Sequence, residues 1–265
     1  MSQDRQRRPR NINALPPGES CPARACTACR AVKSVDLEAL SAFTAKVRRK
    51  TVRAGEPIFR VRDDQHGLTV VAEGHVMLQQ ILADGRRQII GFRYPGDLVN
   101  FADGINARLH PLAILPGVLC RMDGRTLDEF RRVYPKAAER LARLAADEVT
   151  RMADHMMLLG RLSAAERMAV FLLECAARLG RNIPEGITFP LRMTRDDIAD
   201  YLGLNVETVS RQFTQMKRRS LIALPKSDRV VIRDLAALEA IAPFIPTVRA
   251  PVQAGPVEIN APAAA

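Results

Sequence analysis

The 265-residue sequence predicts an α+β fold with a β-rich first half and a helical second half. Three observations support this. Short β-like runs separated by turn pairs fill residues 51–120, a helical apolar period begins at Thr126, and two capped helices can be placed within residues 193–222. Single hydrophobic cores stop growing at about this chain length, so we expect two domains.

The first thirty residues form a segment of distinct composition. Residues 1–30 are rich in Arg, Pro and small polar residues and show no hydrophobic period, which predicts a flexible arm. The chain has five cysteines, three of them in this arm: Cys21, Cys26, Cys29, Cys120 and Cys175.

The chain carries no signal for export or membrane insertion. Its N-terminus lacks the apolar stretch of a secretory signal, and no run of about 18 apolar residues occurs. We therefore expect a cytoplasmic protein without a membrane partner. Thiols are kept reduced in that compartment, which disfavours a structural disulfide and leaves a metal site or unmodified thiols.

Residues 31–125 predict a small antiparallel β-roll of the cupin-like jelly-roll type. Apolar runs alternate with turn pairs throughout this segment. Asp84-Gly85 is a strong signal for a two-residue hairpin, because a type I′ turn needs positive φ angles that both residues tolerate. Two further turns are predicted at Glu73-Gly74 and Pro95-Gly96.

Residues 126–160 predict a dimerisation helix with two apolar faces. One series is spaced alternately by four and three residues, as in paired helices: Ala138, Ala142, Ala145, Val149, Met152, Met156 and Leu159. A second series could contact the β-roll: Leu141, Leu144, Leu158 and Leu162. The alternative is that the first series merely covers the roll. The presence of two faces favours a parallel homodimer in which the first series meets the partner helix.

Residues 161–240 predict a winged helix-turn-helix domain. Ser163 and Glu166 have the spacing of a capping box, at the start of an apolar helix that ends at Gly180. Two strands of a wing then follow the helix-turn-helix in the stretch LIALPKSDRVVIRD, with a turn at Ser227-Asp228. Residues 241–265 are so rich in Pro and Ala that we expect a disordered tail.

The helix-turn-helix is predicted by the stretch MTRDDIADYLGLNVETVSRQFTQMKRRSLI, residues 193–222. Thr194 can cap the first helix and Asn205 the second, Gly203 permits the tight turn, and Ala199 is small where the two helices would cross. The second helix would bury Val206, Val209, Phe213 and Met216.

Glu207, Ser210 and Arg211 lie together on another face of this second helix. Arg can donate two hydrogen bonds to guanine, Glu can accept one from cytosine, and Ser can bond to either edge. The alternative is an ordinary solvated helix face, but the full order of caps, small residue, glycine turn and buried valine is more specific than a charge pattern. A net charge of +11 also favours a polyanion, so we expect double-stranded DNA as the partner. Three basic residues further along the helix could contact phosphates: Lys217, Arg218 and Arg219.

From roughly residue 20 to residue 235, the order of β-roll, long helix and winged helix-turn-helix resembles the CRP/FNR family. These regulators are named for the cyclic-AMP receptor protein and the fumarate-and-nitrate-reduction regulator, and VETVSRQF is similar to the recognition helix of the second branch. The resemblance implies a transcriptional regulator, more often an activator, whose Glu207, Ser210 and Arg211 read TTGAT-like half sites in an inverted repeat. It also implies that the Asp84-Gly85 hairpin is presented to RNA polymerase. One departure is Gln212, where many relatives carry an apolar residue.

The same resemblance bears on the effector. Cyclic-nucleotide members of the family carry a Gly-Glu pair and then an Arg followed by Ser or Thr. This chain has DLVNFADGINARLHPLAI in that region, with Leu109 after Arg108 and no Gly-Glu pair. A phosphate would lack its bidentate and hydroxyl partners there, so a cyclic nucleotide is not the expected effector.

For the cysteines, the resemblance implies a [4Fe-4S] cluster. Oxygen-sensing members hold one with three N-terminal cysteines and one from the roll, which here implies Cys21, Cys26, Cys29 and Cys120 as ligands. The spacing is C-x4-C-x2-C, whereas the common family pattern is closer to C-x2-C-x5-C. A zinc site with the same cysteines, or thiols that hold no metal, are the alternatives. Cys175 lies in an apolar helix and is expected to be a small buried hydrophobe.

The sequence therefore predicts a regulator that binds DNA when oxygen is low. A cluster would join the arm to the roll beside the long helix and favour the DNA-binding dimer. The alternative is a member of the same family whose dimer needs no cluster and whose cysteines only respond to oxidation. No His-Glu or nucleophile-base constellation accompanies the cysteines, so we expect no enzymatic activity.

Overall fold

The computed structural model describes residues 29, 31–32, 34, 37–59, 66–101 and 109–244. The predicted arm, apart from Cys29, and most of the predicted tail lie outside the described residues, as do Cys21 and Cys26. The described chain forms an N-terminal β-roll, a long helix and a C-terminal winged helix-turn-helix, which confirms the predicted α+β architecture.

The β-roll consists of two antiparallel sheets preceded by a helix, α1 (Leu37–Lys46). Its strands are β1 (Arg48–Val52), β2 (Gly67–Glu73), β3 (Val76–Ile81), β4 (Arg87–Arg93), β5 (Leu98–Phe101), β6 (Leu109–Ala113) and β7 (Gly117–Asp123). One sheet has the strand order β1-β7-β2-β5 and the other has the order β4-β3-β6.

The four-stranded sheet is buried on both faces. Successive side chains of a strand point to opposite faces, so the residues of β2 and β7 divide into two sets. Val71 and Leu119 lie in the core between the two sheets. Val70 and Cys120, which are paired across the two strands, lie in a second core with helical residues such as Phe130. This second core, between the sheet and the helices, is called the helix-side core below.

The predicted hairpin joins β3 and β4, but its turn differs from the expected type. Gly85 has a φ of 86° and its N–H donates to the carbonyl of Leu82 (2.9 Å), while the N–H of Leu82 donates to the carbonyl of Arg86 (2.8 Å). This is a three-residue loop with a left-handed glycine at its end. The expected two-residue type I′ turn is wrong, because it needs a positive φ at Asp84 and Ser220 is the one non-glycine residue with a positive φ in the described ranges.

The region predicted as the dimerisation helix contains two helices, α2 (Gly124–Val133) and α3 (Pro135–Arg161). Pro135 has no N–H to donate, and its ring disfavours the helical conformation for the residue before it. Tyr134 accordingly has a φ of −124° and a ψ of 66°. The first helix closes the roll with buried Leu127 and Phe130, and the second, with 27 residues, is about 40 Å long.

Helix α3 connects two separate cores. Leu141 and Leu144, in its first half, pack into the helix-side core of the roll. Leu158, near its end, and Leu162, just beyond it, belong instead to a core that joins the outer face of the three-stranded sheet to the C-terminal domain. All four leucines are buried, as the sequence predicts, but the second pair contacts more than the roll.

The C-terminal domain contains four strands and four helices within the described residues. They are α4 (Ala164–Leu179), β8 (Arg181–Ile183), β9 (Gly186–Pro190), α5 (Arg195–Leu202), α6 (Val206–Arg218), β10 (Ile222–Lys226), β11 (Arg229–Ile232) and α7 (Leu235–Glu239). The sheet order is β10-β11-β9-β8. The wing strands and the capping box of Ser163 and Glu166 are as predicted, whereas β8 and β9 were not predicted.

Within the described ranges, every helix is too short or too polar to cross a lipid bilayer.

Candidate DNA-binding site and cysteine region

The helix-turn-helix is held by the capping groups that the sequence predicts. Thr194 Oγ1 accepts from the N–H of Asp197 (3.1 Å), and Asp197 Oδ2 accepts in return from the N–H of Thr194 (3.0 Å). Gly203 ends α5 with a φ of 60°, and Asn205 Oδ1 accepts from the N–H of Thr208 (2.8 Å) at the start of α6. These local bonds fix where each helix begins and ends and allow the chain to turn sharply between them.

The inner face of α6 packs on the rest of the domain. Val209, Phe213 and Met216 are buried, as predicted. Val206 is only half-buried, so its predicted burial is partly wrong. Gln212 is 9% exposed and lies on the inner face, where the family resemblance expects an apolar side chain.

The outer face of α6 presents the three predicted base-reading residues to solvent. Glu207, Ser210 and Arg211 are all exposed. Arg211 Nη2 donates to Thr208 Oγ1 (3.1 Å), which holds the guanidinium along the helix surface. Glu207 lies in the first turn, where a negative charge is favoured by the helix dipole. The predicted phosphate-contacting residues are exposed as well: Lys217, Arg218 and Arg219.

The wing is joined to the segment that precedes the helix-turn-helix. Strands β10 and β11 turn at Ser227-Asp228, as predicted. Arg192 Nη1 donates to Asp228 Oδ2 (3.0 Å), and the N–H of Leu191 donates to the carbonyl of Asp228 (2.7 Å). The tip of the wing is therefore fixed relative to α5, which begins three residues after Arg192.

The first helix of the motif is also joined to the β-roll by a pair of salt bridges. From β4, Arg87 Nη2 donates to Asp197 Oδ1 (2.9 Å) and Arg87 Nε donates to Asp200 Oδ2 (2.6 Å). The neighbouring Gln88 Nε2 donates to the carbonyl of Asp200 (2.6 Å). Sequence reasoning did not find this joint, because its partners are about 110 residues apart and neither has a local signal.

Behind these salt bridges lies a set of buried polar residues. Tyr201 Oη donates to Glu174 Oε2 (3.0 Å), and burial raises the pKa of the Glu174 carboxyl above its usual range. His155 of α3 stacks on the Tyr201 ring at 4.4 Å, and its Nε2 lies 2.8 Å from the Tyr201 carbonyl oxygen. Burial lowers the pKa of His155. Two further buried ion pairs are Arg93–Glu148 and Arg178–Asp97.

The other apolar series of α3 faces solvent in its middle. Val149 is 68% exposed, Met152 is 37% exposed and Met156 is 75% exposed. The ends of the series differ from the expectation, because Ala138 is buried and Leu159 is half-buried against the C-terminal domain. Within the described residues, the protomer therefore leaves an apolar strip exposed along the middle of the long helix, called the uncovered strip below.

Two of the four predicted metal-ligating cysteines lie in the described ranges and share one environment. Cys120 lies on β7, is 6% exposed and belongs to the helix-side core. Cys29 is half-buried and packs against the same core. Both residues have the thiolate chemistry that a cluster requires, and both contact the same core of the roll. Cys175 is buried in α4, as expected of a small hydrophobe, and burial raises its pKa well above the usual range.

A winged helix-turn-helix with exposed Glu, Ser and Arg on its second helix, in a chain of net charge +11, defines a DNA-binding transcriptional regulator. Two family descriptions match the chain: the Crp-like helix-turn-helix domain over residues 166–241 and the cyclic nucleotide-binding domain over residues 49–133. The chain belongs to the CRP/FNR family, whose members are regulators rather than enzymes and act as dimers.

The similar proteins include regulators of nitrogen fixation and of fumarate and nitrate reduction. The chain is 36% identical over 235 residues to the nitrogen fixation regulation protein FixK of Bradyrhizobium diazoefficiens, covering 89% of this chain and 99% of FixK. It is 32% identical over 198 residues to the fumarate and nitrate reduction regulatory protein of Salmonella typhi, covering 74% of this chain and 78% of that protein. The structure of FixK2 from Bradyrhizobium japonicum has a TM-score of 0.68 at 32% identity, covering 75% of this chain and 98% of FixK2.

The predicted absence of cyclic-nucleotide binding stays a prediction. The family description that covers the roll is named for such binding. Arg108, on which the sequence argument depends, lies outside the described residues.

Proposed function

We propose that this protein is an oxygen-responsive activator of transcription whose cysteines hold a [4Fe-4S] cluster when oxygen is low. The proposed ligands are Cys21, Cys26, Cys29 and Cys120. The observation that carries the proposal is the common position of Cys29 and Cys120 at the helix-side core. When bound, a [4Fe-4S] cluster supplies an oxygen-sensitive cross-link between its thiolates.

The helix-side core gives these cysteines a route to the long helix. Phe43 of α1 and Phe130 of α2 meet edge to face there, with ring centroids 5.4 Å apart, and Leu141 of α3 is fully buried beside them. When the arm is held to the roll through Cys29 and Cys120, the position of the first half of α3 is therefore stabilised as well. Since α3 also carries the uncovered strip, ordering of the arm favours the dimer over the protomer.

DNA recognition in this proposal belongs to Glu207, Ser210 and Arg211. Arg211 supplies two donors to guanine O6 and N7, and Glu207 accepts from cytosine N4 of TTGAT-like half sites in an inverted repeat. The exposed hairpin of residues 82–86 is the proposed contact for RNA polymerase, supported by exposed Leu82 at its base (46% exposed).

The experiment that tests the proposal compares two buried cysteines. The wild type, Cys120→Ala and Cys175→Ala are purified without oxygen, assayed for iron and sulfide, and titrated with a fluorescent inverted repeat before and after exposure to air. Both cysteines are buried, so the two substitutions remove a similar volume. We expect the wild type and Cys175→Ala to hold iron and sulfide and to lose DNA affinity in air. We expect Cys120→Ala to hold neither and to bind weakly under both conditions.

The second candidate is a regulator of the same family that binds DNA without any cluster. The spacing C-x4-C-x2-C favours it, since the family pattern implied by the resemblance is different. Two results together would establish this candidate and reject the cluster. The wild type would hold no iron, and Cys120→Ala would keep the anaerobic DNA affinity of the wild type. Zinc in the purified wild type, held through the same cysteines, would also reject the cluster.

A further inference from the structure

Arg167, in the first turn of α4, binds the carbonyl groups of two other helix ends. Its Nη2 donates to the carbonyl of Leu159 (2.8 Å) and its Nε donates to the carbonyl of Leu162 (2.8 Å), at the end of α3. Its Nη1 donates to the carbonyl of Leu202 (2.8 Å) and is 3.4 Å from that of Gly203, at the end of α5. One guanidinium therefore joins the end of the long helix to the turn of the helix-turn-helix.

The chemistry of these contacts is specific to arginine. The last carbonyls of a helix have no partner within the helix and carry partial negative charge. A guanidinium has five donors in a rigid plane and stays charged, so it can serve two helix ends at once. A lysine has one ammonium with three donors and cannot reach both ends in the same geometry.

The two helix ends also touch directly. A Cβ built on Gly203 would lie 3.0 Å from Leu159 Cδ2 and 3.4 Å from Arg167 Nη1, and the φ of 60° at Gly203 strains any other residue. One turn earlier on α3, His155 Nε2 lies 2.8 Å from the carbonyl oxygen of Tyr201 in α5. The helix-turn-helix is thus held to α3 by contacts, and the intervening sequence is not its only link.

We infer that Arg167 is a positioning residue for DNA recognition, fixing the direction of α6 relative to α3 and so the half-site spacing that the dimer accepts. In a dimeric helix-turn-helix protein, the distance between the two recognition helices sets the spacing of the half sites. The inference rests on the proposed dimer, in which α3 pairs with its copy. A loose joint between α3 and α5 lets each recognition helix swing and widens the range of spacings that bind.

The test measures spacing preference as well as affinity. An inverted repeat is first selected from random DNA with the wild-type dimer, and its spacer is then shortened and lengthened one base pair at a time. The wild type, Arg167→Gln, Arg167→Lys and Arg161→Gln are titrated against each duplex and against a single half site. Arg161 is exposed at the end of α3, so Arg161→Gln removes the same charge without the carbonyl contacts.

For Arg167→Gln we expect a loss of about tenfold on the best spacing, as for a charged hydrogen-bonding group, and little loss on neighbouring spacings. Binding to the single half site should equal that of the wild type, because α6 itself is unchanged. Arg161→Gln should weaken all duplexes equally and keep the wild-type preference.

A uniform loss on all spacings, or an unchanged preference, in Arg167→Gln would overturn the inference. If thermal unfolding shows that this variant does not fold, Arg167→Lys is judged by the same two criteria, since it keeps the charge. Selection of a repeat other than TTGAT by the wild type would count against the proposed recognition sequence alone, because the spacing comparison uses whatever repeat is selected.

Discussion

The uncovered strip of α3 predicts different effects for two neighbouring methionines. Met156 is 75% exposed and Met157 is 54% exposed in the protomer. Only Met156 belongs to the apolar series that includes Val149 and Met152. A dimer that pairs these strips buries Met156 against the partner and leaves Met157 in water. We therefore expect Met156→Ala to weaken the dimer and Met157→Ala to leave it unchanged.

The size of the effect follows from the exposed fraction. Complete burial of a methionine side chain contributes about 1.5–3 kcal/mol relative to full exposure. Since three quarters of Met156 is exposed in the protomer, pairing gains about 1–2 kcal/mol from each copy. The symmetric dimer contains two copies, so Met156→Ala should cost at least ~2 kcal/mol, or about 30-fold in the dimer dissociation constant.

Sedimentation velocity over a dilution series measures this constant directly. At protein concentrations well below the dimer dissociation constant, the two variants should unfold at the same temperature as the wild type, because neither side chain belongs to a protomer core and pairing no longer stabilises the fold. Operator titration at protein concentrations near the dimer dissociation constant should show the same difference. Equal dissociation constants for Met156→Ala and the wild type, or a larger effect from Met157→Ala, would refute the placement of the seam.

Three further predictions concern Arg211 of the recognition helix, Arg87 of the salt bridges to α5, and the buried His75. Arg211→Lys should lose about 1–3 kcal/mol of DNA binding free energy, because lysine cannot bind guanine in bidentate fashion, and titration of operators altered at one base pair should place the loss at a single G·C pair. Arg87→Ala should lower the free energy of urea unfolding by about 1–2 kcal/mol, and adding Asp200→Ala should cost little more, since both remove the same partly buried contact. Burial, followed by the nearby charge of Arg192, lowers the pKa of His75 to about 4 from 6.5. The neutral form is favoured in the fold, so stability is full above about pH 6.5 and falls towards pH 4. Between pH 7 and pH 4.5 the wild type should lose about 2 kcal/mol more unfolding free energy than His75→Phe, as measured in urea.

Much of the DNA-binding site could be predicted because its signals are local. A cap bonds to residues two or three positions away, so Thr194 and Asn205 mark their helices whatever surrounds them. Gly203 marks the turn because its left-handed φ of 60° favours glycine over residues that carry a Cβ. The turn type of the Asp84-Gly85 hairpin was missed, since the choice between two and three loop residues depends on how β3 and β4 pair.

Local signals in the sequence set where the two helices of the helix-turn-helix start and end, and which side chains of α6 stay exposed. Caps, turns and periodicity act over a few residues, and the chain carries them in any context. Tertiary packing brings Arg87 to Asp197 and lets Arg167 join α3 to α5. Those contacts join different secondary-structure elements. They form only after packing of the two cores has brought these elements together.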